Sequence, residues 1–227
     1  MFPLYDSVAP LALLVESIFF IDKAIKAHRI NRFQTGLAMG FISLKYEELP
    51  EGVCSKSVDL QVSQRLYGYL SKTLIDDLSG FLSNKRVLEV YAGRGHLSSL
   101  LAERGVEIKS TSLRQGHDFS ADLGHVFDVE DLDVISAVVK YYDWLDVLLV
   151  CWPTTDLGLF KSLNWLTKDT PIVFIGEVTD YSRKPFPFLG GCATDEFFES
   201  VVEIADSEGI IRYPTPRIDK VKIYRKK

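Results

Sequence analysis

The sequence predicts an α/β fold. A mainly parallel sheet carries helices on both faces, ends in an antiparallel pair of strands, and follows a helical N-terminal extension. Three observations predict it. From Leu60 onward, short apolar runs alternate with amphipathic segments, the pattern of a parallel sheet with crossover helices. Arg86–Gly95 reads RVLEVYAGRG and leads into HLSSLLAERG, so an apolar strand ends in an acid and a glycine-bearing turn precedes a helix. Near the C-terminus two apolar runs lie too close for a helical crossover, and strands joined so tightly must pair antiparallel.

The elements follow in order. Residues 1–60 differ from the rest and form the extension; residues 61–227 form the main domain. In the extension, Ala9–Ala27 reads as a helix, and turn signals stand at Gly36, Gly40 and Pro50–Gly52. Leu66, Leu70, Leu74, Leu78 and Leu82 recur every four residues, which predicts one amphipathic helix. Strand Val87–Tyr91, helix His96–Arg104 and strand Val106–Thr111 come next. A short strand near Val126–Val129, helix Asp133–Tyr142 and strand Asp146–Cys151 follow, then helix Leu157–Leu166 and strand Ile172–Ile175. Helix Thr194–Asp206 leads to Ile210–Tyr213, the turn at Pro214 and Pro216, and the last strand, Val221–Arg225.

Composition narrows the function classes. A chain of 227 residues with 47% hydrophobic and 25% charged residues is expected to build a core that needs no staples. The net charge of −5 disfavours nucleic acid as a partner, since neutralising phosphates needs a basic surface. The basic tail Arg217–Lys227 reads better as a solvated edge strand. Cys54, Cys151 and Cys192 are sparse and unclustered, which suits a reducing cytoplasm. The four histidines show no metal-ligand spacing, so no metal is expected. Val8–Ile21 is strongly apolar, but it contains Glu16, follows Asp6 and is too short to span a bilayer. It reads as a buried helix; the alternative is an interface, including one that makes a homo-oligomer.

The turn carries the chemistry. Gly93 and Gly95 let a ligand approach the backbone, and the helix behind adds exposed N–H groups. The plain alternative is an ordinary strand-to-helix turn that binds nothing. Glu177 ends a strand and is the candidate general base; alternatively it pairs with Arg183 or Lys184. Asp156 is a second candidate base, or a helix cap. The aromatic and proline-rich stretch from Tyr181 to Phe188 is long for a compact domain, as functional loops are.

Four pieces in order, VLEVYAGRGHLSSLLAERGVEI, DVLLVCWP, FIGE and GGCATDEFF, together with YPTPRIDKVKIYRK, resemble a methyltransferase-like family. The match covers about Arg86–Lys226 and is similar to class I S-adenosylmethionine-dependent methyltransferases, in a branch whose substrates the resemblance leaves open. It implies a Rossmann-like, seven-stranded, mainly parallel sheet with a terminal antiparallel pair. The implied cofactor is S-adenosyl-L-methionine, and the implied substrate is a small molecule or a protein side chain. Glu89, Gly93 and Gly95 match the family's turn, while Tyr91 stands where a glycine is usual. Ser112 stands where an acid usually holds the ribose, with Asp118 a few residues on. Glu130 and Asp131 are candidates for the adenine amino group; alternatively they favour a helix N-terminus. Cys151 and Trp152 occupy the substrate-side register, without the amine-polarising carbonyl that some members carry. Trp152 forms a wall for the ligand, or packs at the core rim. The missing groups at Ser112 and Cys151–Trp152 leave a second reading open, a non-catalytic binding or interaction domain of the same fold.

Overall fold

A computed structural model describes residues 43–113, 124–182, 185, 191–204, 207–213, 215 and 218–227. The expected helix Ala9–Ala27, Asp118, Arg183, Lys184, Pro214 and Pro216 lie outside the described residues.

The described chain runs through α1 (Ser55–Gln64), α2 (Lys72–Leu82), β1 (Arg86–Val90), α3 (His96–Glu103), β2 (Glu107–Thr111) and β3 (Val129–Glu130). It continues through α4 (Val134–Tyr141), β4 (Val147–Cys151), α5 (Gly158–Ser162), β5 (Ile172–Glu177), α6 (Asp195–Ser200), β6 (Val201–Glu203), α7 (Ser207–Ile210) and β7 (Asp219–Lys226). The strands form one seven-stranded sheet in the order β3-β2-β1-β4-β5-β7-β6. β3, β2, β1, β4 and β5 are parallel, and β7 pairs antiparallel with both β5 and β6.

Alternation along the strands sorts side chains to two faces. Val87, Leu149, Cys151, Val173, Ile175, Val221 and Ile223 pack on one face against Leu74, Ile75, Leu78 and Leu82 of α2 and Leu97, Leu100 and Leu101 of α3. Leu88, Val90, Leu148, Val150, Ile172 and Phe174 pack on the other against Val134, Ala137 and Val138 of α4, Leu159 of α5 and Phe197 of α6. The central strands are apolar on both faces, as a sheet covered on both sides requires. Leu44 and Leu49 are buried in the α2–α3 cluster, and the boundary at residue 60 falls within α1.

The four-residue leucine spacing does not make one helix. The chain breaks between α1 and α2: Arg65 takes φ 52°, and Ser71 starts α2 by accepting from the Leu74 N–H at 3.3 Å. Between them Gly68 lies against Trp152, and a Cβ there would stand 1.7 Å from Cζ2 of the indole. A long-range contact thus overrides a local period. Replacing Ser71 with Ala is expected to cost about 1 kcal/mol, read as a lower urea midpoint at unchanged slope.

The C-terminal expectations are corrected in detail. The helix from Thr194 ends at Ser200, and β-branched Val201 and Val202 extend into β6 opposite Lys226 and Arg225. Ile210 ends α7 instead of opening a strand, and Ile211 is buried against the α2–α3 side. The antiparallel pair is therefore β6 with β7. The segment expected as helix Leu157–Leu166 divides into α5 and a 3-10 turn, Leu163–Trp165. The third strand is only Val129–Glu130, paired with Ser110 and Thr111. Among the described residues no helix is long and apolar enough to cross a membrane.

Candidate functional site

The sheet order reverses direction between β1 and β4, the place where open α/β sheets form a crevice at their carboxyl ends. There β1 runs into the turn Tyr91–Gly95. Tyr91, Gly93 and Gly95 take φ 59°, 55° and 81°. The left-handed region is uncommon for a bulky aromatic residue, so the fold holds Tyr91 in a strained conformation. The Ala92 N–H donates to the Thr111 carbonyl at 3.1 Å, tying the turn to β2, and the Gly95 N–H closes it on the Ala92 carbonyl at 2.9 Å. A Cβ on Gly95 would meet Val129 at 2.7 Å and Phe127 at 2.8 Å, so β3 presses directly on the turn.

At β4 the chain leaves the sheet through Trp152, also left-handed at φ 45°. Its N–H donates to the Ile175 carbonyl at 2.7 Å. Its ring lies over Gly68 and edge-on to Tyr213, with centroids 6.4 Å apart. The Tyr91 hydroxyl and the Trp152 indole N–H are buried without a hydrogen-bond partner. Buried polar atoms rarely stay unsatisfied, and two beside one crevice point to a ligand or water there. Burial, with Asp156 nearby, pushes the Tyr91 phenol above its ordinary range.

Two cavities share Tyr67, Tyr91, Gly93 and Trp152 in their walls. The larger, about 790 Å³, is a cleft over the carboxyl ends of β1, β2, β4 and β5. Ser112 and Leu113 follow β2 into it; Leu132, Asp133, Val134 and Ile135 form one wall; Pro153, Thr154 and Asp156 form another. Glu177, Cys192 and Asp219 close the far end. The smaller cavity lies beneath the turn, among Arg65, Tyr67, Gly68, Glu89, Arg94, His96 and Cys151.

The sequence-predicted residues fall into three groups. Tyr91, Gly93, Ser112, Trp152, Asp156 and Glu177 line the large cleft. Glu89 and Cys151 line the small cavity. Gly95 supports the turn, and Glu130 and Asp131 are not among the residues lining either cavity. The Glu130 carboxylate accepts from Lys140 and from the Tyr141 hydroxyl, the latter at 2.7 Å, and these partners hold it below the usual carboxylate range. Asp133 accepts from the N–H groups of Ile135 and Ser136 at 2.9 and 3.0 Å, so it caps α4. Asp156 accepts from the Thr154 hydroxyl and, at 2.6 Å, from the Gly158 N–H, which occupies it at the start of α5. Glu177 stands at the end of β5 opposite Asp219. Its backbone carbonyl accepts from the Cys192 N–H at 3.0 Å and from the Cys192 thiol at 3.5 Å.

Glu89 is only 1% exposed. It accepts from Ser98 and, at 3.3 Å, from Ser110, and the Cys151 thiol also bonds to it. Burial outweighs these bonds and raises its pKa to about 7. Glu89 therefore bonds to the serines of α3 and β2 beneath the turn.

Sequence reading missed Tyr67, Gly68, Arg94, His96 and Cys192. One signal was present: Gly68, a poor helix former, stands inside an otherwise regular leucine period. Arg94 and His96 gave none, because their burial depends on the distant 65–70 segment. Among the described residues no three His, Cys, Asp or Glu side chains cluster as metal ligands.

No protein-family model matches the chain, and no curated protein matches it. Solved structures do. A crystal structure of a mutant form of MtNAS aligns at TM-score 0.40 and 14% identity over 66% of this chain, which spans 56% of that one. The CcbJ methyltransferase from Streptomyces caelestis aligns at TM-score 0.43 and 10% identity, over 68% of this chain and 88% of that one. A SAM-dependent methyltransferase from Archaeoglobus fulgidus aligns at TM-score 0.38 and 18% identity, over 68% and 91%. A dinucleotide-binding sheet would continue with parallel units in the order 3-2-1-4-5-6, whereas here an antiparallel β7 is inserted beside β5. With that insertion the sheet is Rossmann-like, seven-stranded and mainly parallel, ending in an antiparallel pair.

Proposed function

We propose that the cleft binds S-adenosylmethionine and that the protein is a methyltransferase acting on a small molecule or a protein side chain. One observation carries this reading: a strained, glycine-bearing turn at the switch point opens on a cleft with two unsatisfied buried donors, in a sheet with an antiparallel β7. The cleft volume of about 790 Å³ suits a nucleoside-sized ligand.

The residues present fit the cofactor. Gly93 gives the backbone close approach, Leu132, Val134 and Ile135 offer an apolar wall for a base, and the Ser112 hydroxyl offers one hydrogen bond where a carboxylate would offer two. Glu89 and the small cavity lie on the side of the amino-acid end. When bound, S-adenosylmethionine supplies an electrophilic methyl group. The chain then has to position a nucleophile, exclude water and accept a proton. Trp152 and Pro153 form the wall of that half of the cleft, and Glu177 is the base, since Asp156 is occupied by its own turn.

Glu177→Gln is expected to lower turnover about a hundredfold on a proton-bearing nucleophile while S-adenosylhomocysteine binds with unchanged affinity. Single-turnover methyl transfer and calorimetry read the two effects separately. The second reading, a non-catalytic binding domain, is favoured by Ser112 and by the absence of an amine-polarising carbonyl at Cys151–Trp152. Cofactor binding without transfer to any acceptor class would support it.

A further inference from the structure

His96 begins α3 directly behind the turn and is 4% exposed. Both its ring nitrogens are buried without a hydrogen-bond partner. Arg94, two residues earlier, is 7% exposed. Its guanidinium donates to two backbone carbonyls, Gly124 at 2.9 Å and Gln64 at 3.4 Å, and forms no ion pair among the described residues. A buried guanidinium normally has a carboxylate or phosphate partner, because removing a charge from water costs several kcal/mol. Here the second charge beside it is another cation: burial first, then Arg65, lowers the Arg94 pKa. Both arginines and His96 line the small cavity.

We propose that this cavity is an anion-binding site for a carboxylate, in which Arg94 supplies the fixed charge and His96 supplies a second donor, taking up a proton as the anion arrives. The anion pairs with the Arg94 guanidinium and satisfies the imidazole. Burial and the neighbouring Arg94 charge hold the His96 pKa at about 4, so the ring is neutral in the free protein near pH 7. An anion against it favours the charged form. The other groups facing the cavity are Glu89 from β1, Cys151 from β4 and the phenols of Tyr67 and Tyr91. Glu89 works in the opposite direction: a cationic group beside it would release its proton, so affinity alone cannot separate the two. Ring protonation of His96 must be read directly.

This deepens the reading above by giving a ligand's amino-acid end a partner for its carboxylate, and it rests on that reading only for the nucleoside arm of the test. The experiment is a pH titration of the histidine ring resonances in the full-length protein, with His96→Gln used for assignment among the four histidines. Probes are acetate at high concentration, S-adenosylhomocysteine, and methylthioadenosine, which lacks the amino-acid end. Acetate and S-adenosylhomocysteine are expected to raise the His96 pKa by about two units or more. Methylthioadenosine is expected to bind and leave it unchanged. A ring that stays neutral at pH 6 under saturating S-adenosylhomocysteine and under acetate overturns the anion site. A shift with acetate but no binding of either nucleoside keeps the anion site and overturns the cofactor reading.

Discussion

Gly93→Asp is expected to weaken S-adenosylhomocysteine binding about a hundredfold, or ~2.7 kcal/mol. Gly93 takes φ 55°, a region Asp enters more readily than most residues, so the turn is retained at a modest cost in stability. What changes is the surface. A carboxylate then projects from a stretch of backbone shared by the cleft and the cavity beneath it. It removes close approach and sets a negative charge beside a ligand that carries its own carboxylate. Calorimetry gives the affinity, and a urea midpoint near that of the wild type shows that the loss is local. An unchanged affinity would mean that the ligand does not touch the turn.

The second large effect is on stability. Glu89 has a native pKa near 7 against an ordinary value of 4.5, with burial as the main cause. Its native pKa is raised, so the folded state binds the proton more tightly than the unfolded state does. The stability this supplies is fully present below about pH 4.5, declines as pH rises and is lost once pH passes the native pKa. The loss amounts to about 3 kcal/mol between pH 4.5 and 8. Glu89→Gln keeps the shape and the acceptor toward Ser98 and Ser110 and cannot ionise. His96, its pKa held at about 4 by burial and Arg94, gains stability over the same range in both proteins, so the readout is the difference between them. Urea unfolding at both pH values is expected to show the Gln variant gaining about 3 kcal/mol on the wild type between pH 4.5 and 8. Asp146 does not confuse the comparison. Arg86 holds its pKa near 2, so its contribution is lost only on acidification below this range. The same change with pH in both proteins would place the titrating group elsewhere.

The parts of this fold readable from sequence are those fixed by local pattern. β1, α3, β2, α4, β4 and β5 follow from apolar runs bounded by turns, and the glycines at 93 and 95 announce positive φ before any coordinates. The helix start at Thr194 was readable, and there the Thr194 side chain caps α6 by accepting from the N–H of Phe197, three residues on. The rest is decided at a distance. Near Leu66 and Leu70 only Gly68 hints that the helix must stop, and the cause lies elsewhere: the indole of Trp152, delivered by β4, fills the space above Gly68. Val201 and Val202 continue a helical period in sequence, yet the free edge of β7 captures them as β6. The family resemblance offered Glu130 to the adenine as an acid after the third strand, but Glu130 ends β3 itself, and Lys140 and Tyr141, one helix later, take its carboxylate away from the cleft. The site was legible to the same degree. Its turn could be read, and the buried Arg94–His96 pair behind it could not.

The choice of ligand is the centre of the account. Titrating the wild-type protein with S-adenosylhomocysteine and with NAD under the same conditions tests it most directly. One site per chain for S-adenosylhomocysteine in the micromolar range, with no heat from NAD, is the expected result. No binding of S-adenosylhomocysteine at millimolar concentration, or tighter binding of NAD, would contradict it.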